Sequence, residues 1–118
     1  MDLAFTTATE QAGLIRSGAV SAAELVELYL ARIERLDPEL NAYVTVRAEE
    51  ALAEARAADA APSGAPFHGV PIAIKDLTPT AGARTTFSSR AYAEFVPDFD
   101  MAVAAPRSRN GGDWLDHE

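Results

Sequence analysis

Apolar residues recur at helical spacing through Leu25, Tyr29, Ile33 and Leu36, flanked by Val26, Leu28 and Leu30, while Glu24, Glu27, Arg32, Glu34 and Arg35 fill the other face. This period predicts an amphipathic helix. Ser21 followed three residues later by Glu24 is a capping box that sets its start. Asp37-Pro38 is expected to end it, because proline disfavours the α conformation in the residue before it and supplies no backbone donor. A second box, Thr7 with Glu10, predicts a helix of about two turns over residues 8–17, closed by Gly13 and Gly18.

Residues 42–46 alternate weakly, which fits a short strand or an extended link. Residues 47–60 are rich in Ala, Glu and Arg with a single Leu, so helix propensity is high but little apolar area anchors the helix, which must lie on something larger. Two prolines and a glycine make residues 62–66 a loop. Residues 69–77 then read as a strand with Pro71 near its start. Period two places Val70, Ile72 and Ile74 on one face and Ala73, Lys75 and Leu77 on the other, and both faces are largely apolar, as in a buried strand of an α/β sheet. Residues 78–100 are turn-rich but carry Phe87, Tyr92, Phe95 and Phe99, which predicts an ordered surface excursion. From 101 onward the pattern fades. Residues 106–113 have neither period nor apolar content, and residues 101–118 are expected to form a disordered tail despite Trp114 and Leu115.

The 118 residues, 48% hydrophobic and 24% charged, suit one small domain. A net charge of -8 repels phosphate backbones and anionic headgroups, which argues against nucleic acid and membrane surfaces as partners. No apolar run approaches the roughly 18 residues that span a bilayer, and no basic leader opens the chain, so a soluble, cytoplasmic protein is expected. Without cysteine there is no disulfide, thiolate nucleophile or thiolate metal site. His68 and His117 lie far apart, so no metal and no cofactor are expected.

Nine of the ten basic residues are Arg, and the exception, Lys75, stands in the apolar strand just before Asp76. Burial drives a lysine toward the neutral form that acts as a base, although a strand lysine more often snorkels to water or guards an edge. A neutral lysine beside a serine is an alternative to the serine–histidine pair in acyl transfer. Ser88 and Ser89 are the nearest serines, but no flanking glycine lets backbone amides point at an oxyanion, so turn roles suit them better. His68 reads as a packing or hydrogen-bonding loop residue. Glu24, Glu27, Glu34, Glu49, Glu50 and Glu54 fall on solvated helix faces, and Asp98 with Asp100 lacks the further oxygen ligands of a cation site.

Gly69-Val70-Pro71-Ile72-Ala73-Ile74-Lys75-Asp76, with the helix opening at Ser21, the link Leu40-Asn41-Ala42-Tyr43-Val44, Gly82-Ala83-Arg84-Thr85-Thr86 and the stretch from Tyr92 to Asp98, resembles the amino-terminal part of the amidase-signature family. The resemblance implies an incomplete α/β/α fold of helices packed on a mixed sheet over residues 1–100, with residues 101–118 unrelated. It implies hydrolysis of a carboxamide by a serine nucleophile, a bridging serine in a cis peptide and a lysine base. Lys75 matches that lysine. The glycine- and serine-rich segment that carries both serines and the oxyanion donors has no match here, so a truncated or frame-shifted relative, inactive alone, is expected. Two other readings stand beside it. One is a non-catalytic interaction module whose Leu25 to Leu36 stripe docks on a separate chain completing the sheet. The other is part of a glutamine-dependent amidotransferase subunit of the same family, working for a partner enzyme.

Overall fold

A computed structural model of the chain describes residues 2–102 and the backbone of residues 113–117. The described elements run α1 (Ala8–Arg16), α2 (Ala22–Leu40), β1 (Thr45–Val46), α3 (Ala48–Ala60), β2 (Pro71–Ile74) and β3 (Asp113–His117). Short 3-10 turns, Leu3–Phe5 and Arg90–Tyr92, complete the described elements. Among the described residues no helix is long and apolar enough to cross a membrane.

Both capping boxes form. The Thr7 hydroxyl accepts from the Glu10 amide while the Glu10 carboxylate accepts from the Thr7 amide at 2.7 Å, and Ser21 and Glu24 repeat the exchange at α2. At α2 a third carboxylate joins. Asp59, near the end of α3, accepts from the Ala22 amide at 2.8 Å and the Ala23 amide at 3.1 Å, so the first three amides of α2 all have partners. The same contact ties α3 to the start of α2. Alanine makes the approach close: Ala51 and Ala55 of α3 and Ala22 and Val26 of α2 are fully buried together, with Tyr29, Leu30 and Leu52 packed around them. Here is the larger surface that the composition of α3 requires.

Helix α2 passes through Asp37-Pro38 and ends at Leu40, three residues later than the proline rule predicts. The cost of the missing proline amide is offset at the exit. Asn41 turns left-handed (φ 51°) with its amide donating to the Asp37 carbonyl, while the Asp37 carboxylate accepts from the amides of Ala42 and Tyr43. Asp37 therefore caps the helix it was expected to terminate.

The strand at 69–77 is shorter than expected, because the Lys75 carbonyl accepts from the Thr78 amide and closes a turn. Val70 and Ile74 are buried but Ile72, on the same face by parity, is 38% exposed, so β2 is not covered on both sides within the described residues. A larger difference concerns 113–117. Expected to be disordered, these residues form β3 between the other two strands, antiparallel to β1 (Thr45 opposite His117) and parallel to β2 (Ile72 opposite Trp114). Strand pairing is made by backbone groups, which every sequence carries, so the lack of alternating apolar residues does not preclude it. The remainder of the expected tail, 103–112 and 118, lies outside the described residues.

Gly69 leads into β2 with φ +79°, and a Cβ there would meet the Ala22 Cβ at 3.0 Å and Ile15 Cδ1 at 3.4 Å. Gly69→Ala should therefore cost about 2–3 kcal/mol, combining left-handed strain with the clash. Gly64→Ala, in open space, should be near neutral; urea titration of both by circular dichroism checks the difference. A pH effect is expected at α1. The backbone and then the side-chain hydrogen bond of Thr7 hold the Glu10 carboxyl below its ordinary value. A depressed folded value means that its contribution is present above the unfolded pKa and disappears as pH falls through the folded one. Protection of the Thr7 amide, followed by NMR, should fall in that acidic window and be unchanged by raising the pH from neutral.

Candidate active site

Lys75 is the first residue beyond β2 and is exposed, with no ion pair among the described residues. Its neighbour points the other way and is 5% exposed. The Asp76 carboxylate accepts from the Thr86 amide at 2.8 Å and, in a short contact, from the Thr86 hydroxyl. The Asp76 carbonyl accepts from the Phe87 amide at 3.0 Å. Strand exit and loop are thereby joined by three bonds across ten residues of sequence. Thr85 and Thr86 are buried beside it. At the level of sequence these three stand only within the stretches that carry the resemblance, and none of them has a role assigned there. An acidic residue flanked by Lys75 and Leu77 in an apolar strand is the available signal, since alternation turns it inward, where a carboxylate needs donors.

The excursion over 78–100 is ordered as expected. Its two arms are joined by amides of Gly82 and Thr85 donating to carbonyls of Pro97 and Phe95, and Met101 donates to Pro79. Arg84 donates to the Ala93 carbonyl and, at 2.9 Å, to the Thr45 hydroxyl, which links the loop to β1. Phe87, Tyr92 and Phe95 form an aromatic cluster with centroids 5.2 to 6.3 Å apart. Asp100 accepts from the Ala81 amide, and among the described residues no group of three His, Asp or Glu is placed to hold a metal.

Of the two candidate serines, Ser89 caps the 3-10 turn, its hydroxyl accepting from the Ala91 amide at 3.3 Å. Ser88 is exposed and left-handed (φ 57°), next to Phe87 (φ 53°). No hydrogen bond joins either serine to Lys75 among the described residues. His68 has a structural role: Nε2–H donates to the Ala58 carbonyl at 2.8 Å, which leaves Nδ1 to accept from the Ser63 hydroxyl at 3.1 Å. Cavities of 160, 490 and 450 Å³ along the helices and their connecting loops are lined by none of Lys75, Ser88 and Ser89. What the structure holds at this site is a presented amine on a braced strand end.

Known proteins share this arrangement of elements. Residues 24–112 match the family model described as Amidase, a match that runs past Asp100. The chain belongs to the amidase family, the amidase-signature enzymes. It is 42% identical over 114 residues to a glutamyl-tRNA(Gln) amidotransferase subunit of Geobacter metallireducens, covering 94% of this chain and 24% of the relative. The peptide amidase of Stenotrophomonas maltophilia superposes with a TM-score of 0.86 at 29% identity, over 98% of this chain and 25% of that one. A 6-aminohexanoate cyclic dimer hydrolase gives 0.85 at 33% identity, over 99% and 24%. The chain spans about a quarter of the length of these relatives.

Two successive non-glycine residues in the left-handed region cost about 1–2 kcal/mol each. Ser88→Gly should therefore stabilise the chain by about 0.5–1 kcal/mol, read as a rise in the urea midpoint at unchanged slope.

Proposed function

We propose that these residues carry the lysine-bearing part of an amidase that hydrolyses carboxamide C–N bonds, with Lys75 as general base. The observation that supports this most directly is the exposed position of Lys75 at the braced exit of β2, within the segment whose resemblance assigns it that role. In the reaction so read, a neutral Lys75 amine takes a proton from a bridging serine, which takes one from the nucleophilic serine as it attacks the amide carbon. The C–N bond then breaks, the amine leaves with the returned proton, and water releases the acyl group. Both serines and the oxyanion donors would come from surfaces that pack onto this part of the fold, over the exposed apolar side chains Leu77, Val96 and Phe99. Those strands and helices would extend β1, β2 and β3 into a larger mixed sheet. They would also dry the amine, as a lysine base requires.

The 42% identity to a glutamyl-tRNA(Gln) amidotransferase subunit supports a second reading, in which the amide is that of glutamine and a partner enzyme uses the product. With either reading a cytoplasmic location is part of the proposal, and the absence of cysteine leaves the compartment open.

The 118 residues alone should show no turnover of aliphatic, aryl or glutamine amides above background. Turnover should appear when they are mixed with a separately made carboxy-terminal portion of a related amidase, and Lys75→Ala should lower it at least about 10²-fold. Preference for glutamine over simple amides in the mixture would favour the amidotransferase reading. Turnover by the chain alone that is lost in Lys75→Ala would make Ser88 or Ser89 the nucleophile, and undiminished turnover in Lys75→Ala would remove the proposed base.

A further inference from the structure

The residue after the proposed base carries a role that the mechanism above does not use. Asp76 and Thr86 are each 5% exposed and Thr85, the residue before Thr86, is fully buried, so the carboxylate that Thr86 holds is nearly closed to water. The Thr86 hydroxyl is central in this site. It donates to the Asp76 carboxylate and accepts from the Ser88 amide at 3.3 Å, while the Thr86 amide donates to the same carboxylate at 2.8 Å. One side chain thus links the strand exit to the left-handed pair Phe87 and Ser88. That pair is further held by the Phe87 amide on the Asp76 carbonyl and by the Phe87 ring against Tyr92 and Phe95. Backbone held in a sparsely populated region persists only where its surroundings over-determine it, and such segments gather where geometry matters. Here the over-determined segment lies against the backbone immediately following Lys75.

We propose that Asp76 and Thr86 are positioning residues: their hydrogen-bonded pair clamps the exit of β2 to the 86–88 turn and so fixes the direction in which the Lys75 amine is presented. The clamp acts through Lys75 and touches no substrate. Its catalytic consequence rests on the reading of Lys75 as base, whereas its mechanical part does not. Breaking it frees the main chain at Lys75 while leaving the α2–α3 contact through Ala51 and Ala55 intact, because those alanines pack on Ala22 and Val26 and not on the clamp. Serine at 86 keeps both the amide and the hydroxyl, and valine keeps the shape and the amide but lacks the hydroxyl.

Amide hydrogen exchange on the chain itself tests the mechanical part. Thr86→Val and Asp76→Ala should accelerate exchange at Phe87, Ser88 and Thr78 by about tenfold or more, Ala51 and Ala55 should stay protected, and Thr86→Ser should match the native chain. Unchanged exchange at Phe87 and Ser88, or equal acceleration at Ala51 and Ala55, would overturn the clamp. This measurement is decisive whether or not complementation gives turnover. In a complemented mixture, Thr86→Val should lower kcat about tenfold with KM unchanged, and should have no further effect on a Lys75→Ala background. An equal loss on both backgrounds would show that the pair does not act through Lys75. If Lys75→Ala itself costs nothing while the exchange result holds, the base assignment fails and the clamp stands.

Discussion

The fold turns on the room available at Ala22. Its methyl group is fully buried, its amide is held by Asp59 of α3, and the strand entry at Gly69 passes close enough that any side chain on Gly69 would strike it. Ile15 of α1 closes the same point. Three helices and the route into β2 therefore converge on one alanine. A larger residue there would push apart elements whose remaining contacts are mostly small. Half of the buried apolar residues among those described are alanines, so the pieces are held by closeness of backbone and not by bulk of side chain.

Much of this is legible in the chain. Both helix starts follow from Thr7 with Glu10 and Ser21 with Glu24, because a capping box is local and reports its geometry within four residues. Lys75 stands out because it is a lone lysine in an apolar strand, and the structure leaves it exposed at the end of that strand. The rest depends on partners distant in sequence. Asp37 caps α2 beyond the proline because its carboxylate reaches forward to accept from the loop amides of Ala42 and Tyr43, and β3 pairs because two strand edges stand ready for it. Asp76 and Thr86 are hidden for the same reason: neither residue type points to the other until ten intervening residues fold back.

Large apolar side chains are left exposed at two places among the described residues. Leu40, Val44 and Val46 lie near the end of α2 and along β1, while Leu77, Tyr92, Val96, Phe99 and Met101 lie on the excursion beyond Lys75. Leu77 is two residues from the amine, so whatever covers that side chain also bears on how wet Lys75 is. Structure and chemistry are coupled at that face.

The order of the sheet bears on how the chain comes to be folded. Among the described residues β3 is the middle strand but the latest in sequence, so β1 and β2 have no partner there until residues 113–117 reach them. The three helices need only sequence up to residue 60 and contacts of modest separation. During synthesis the helical layer can close early, while the two outer strands wait with bare edges for a segment about forty residues downstream of β2. That interval is when the chain is most open to pairing with another copy of itself, and it lengthens with any delay in supplying residues 113–117.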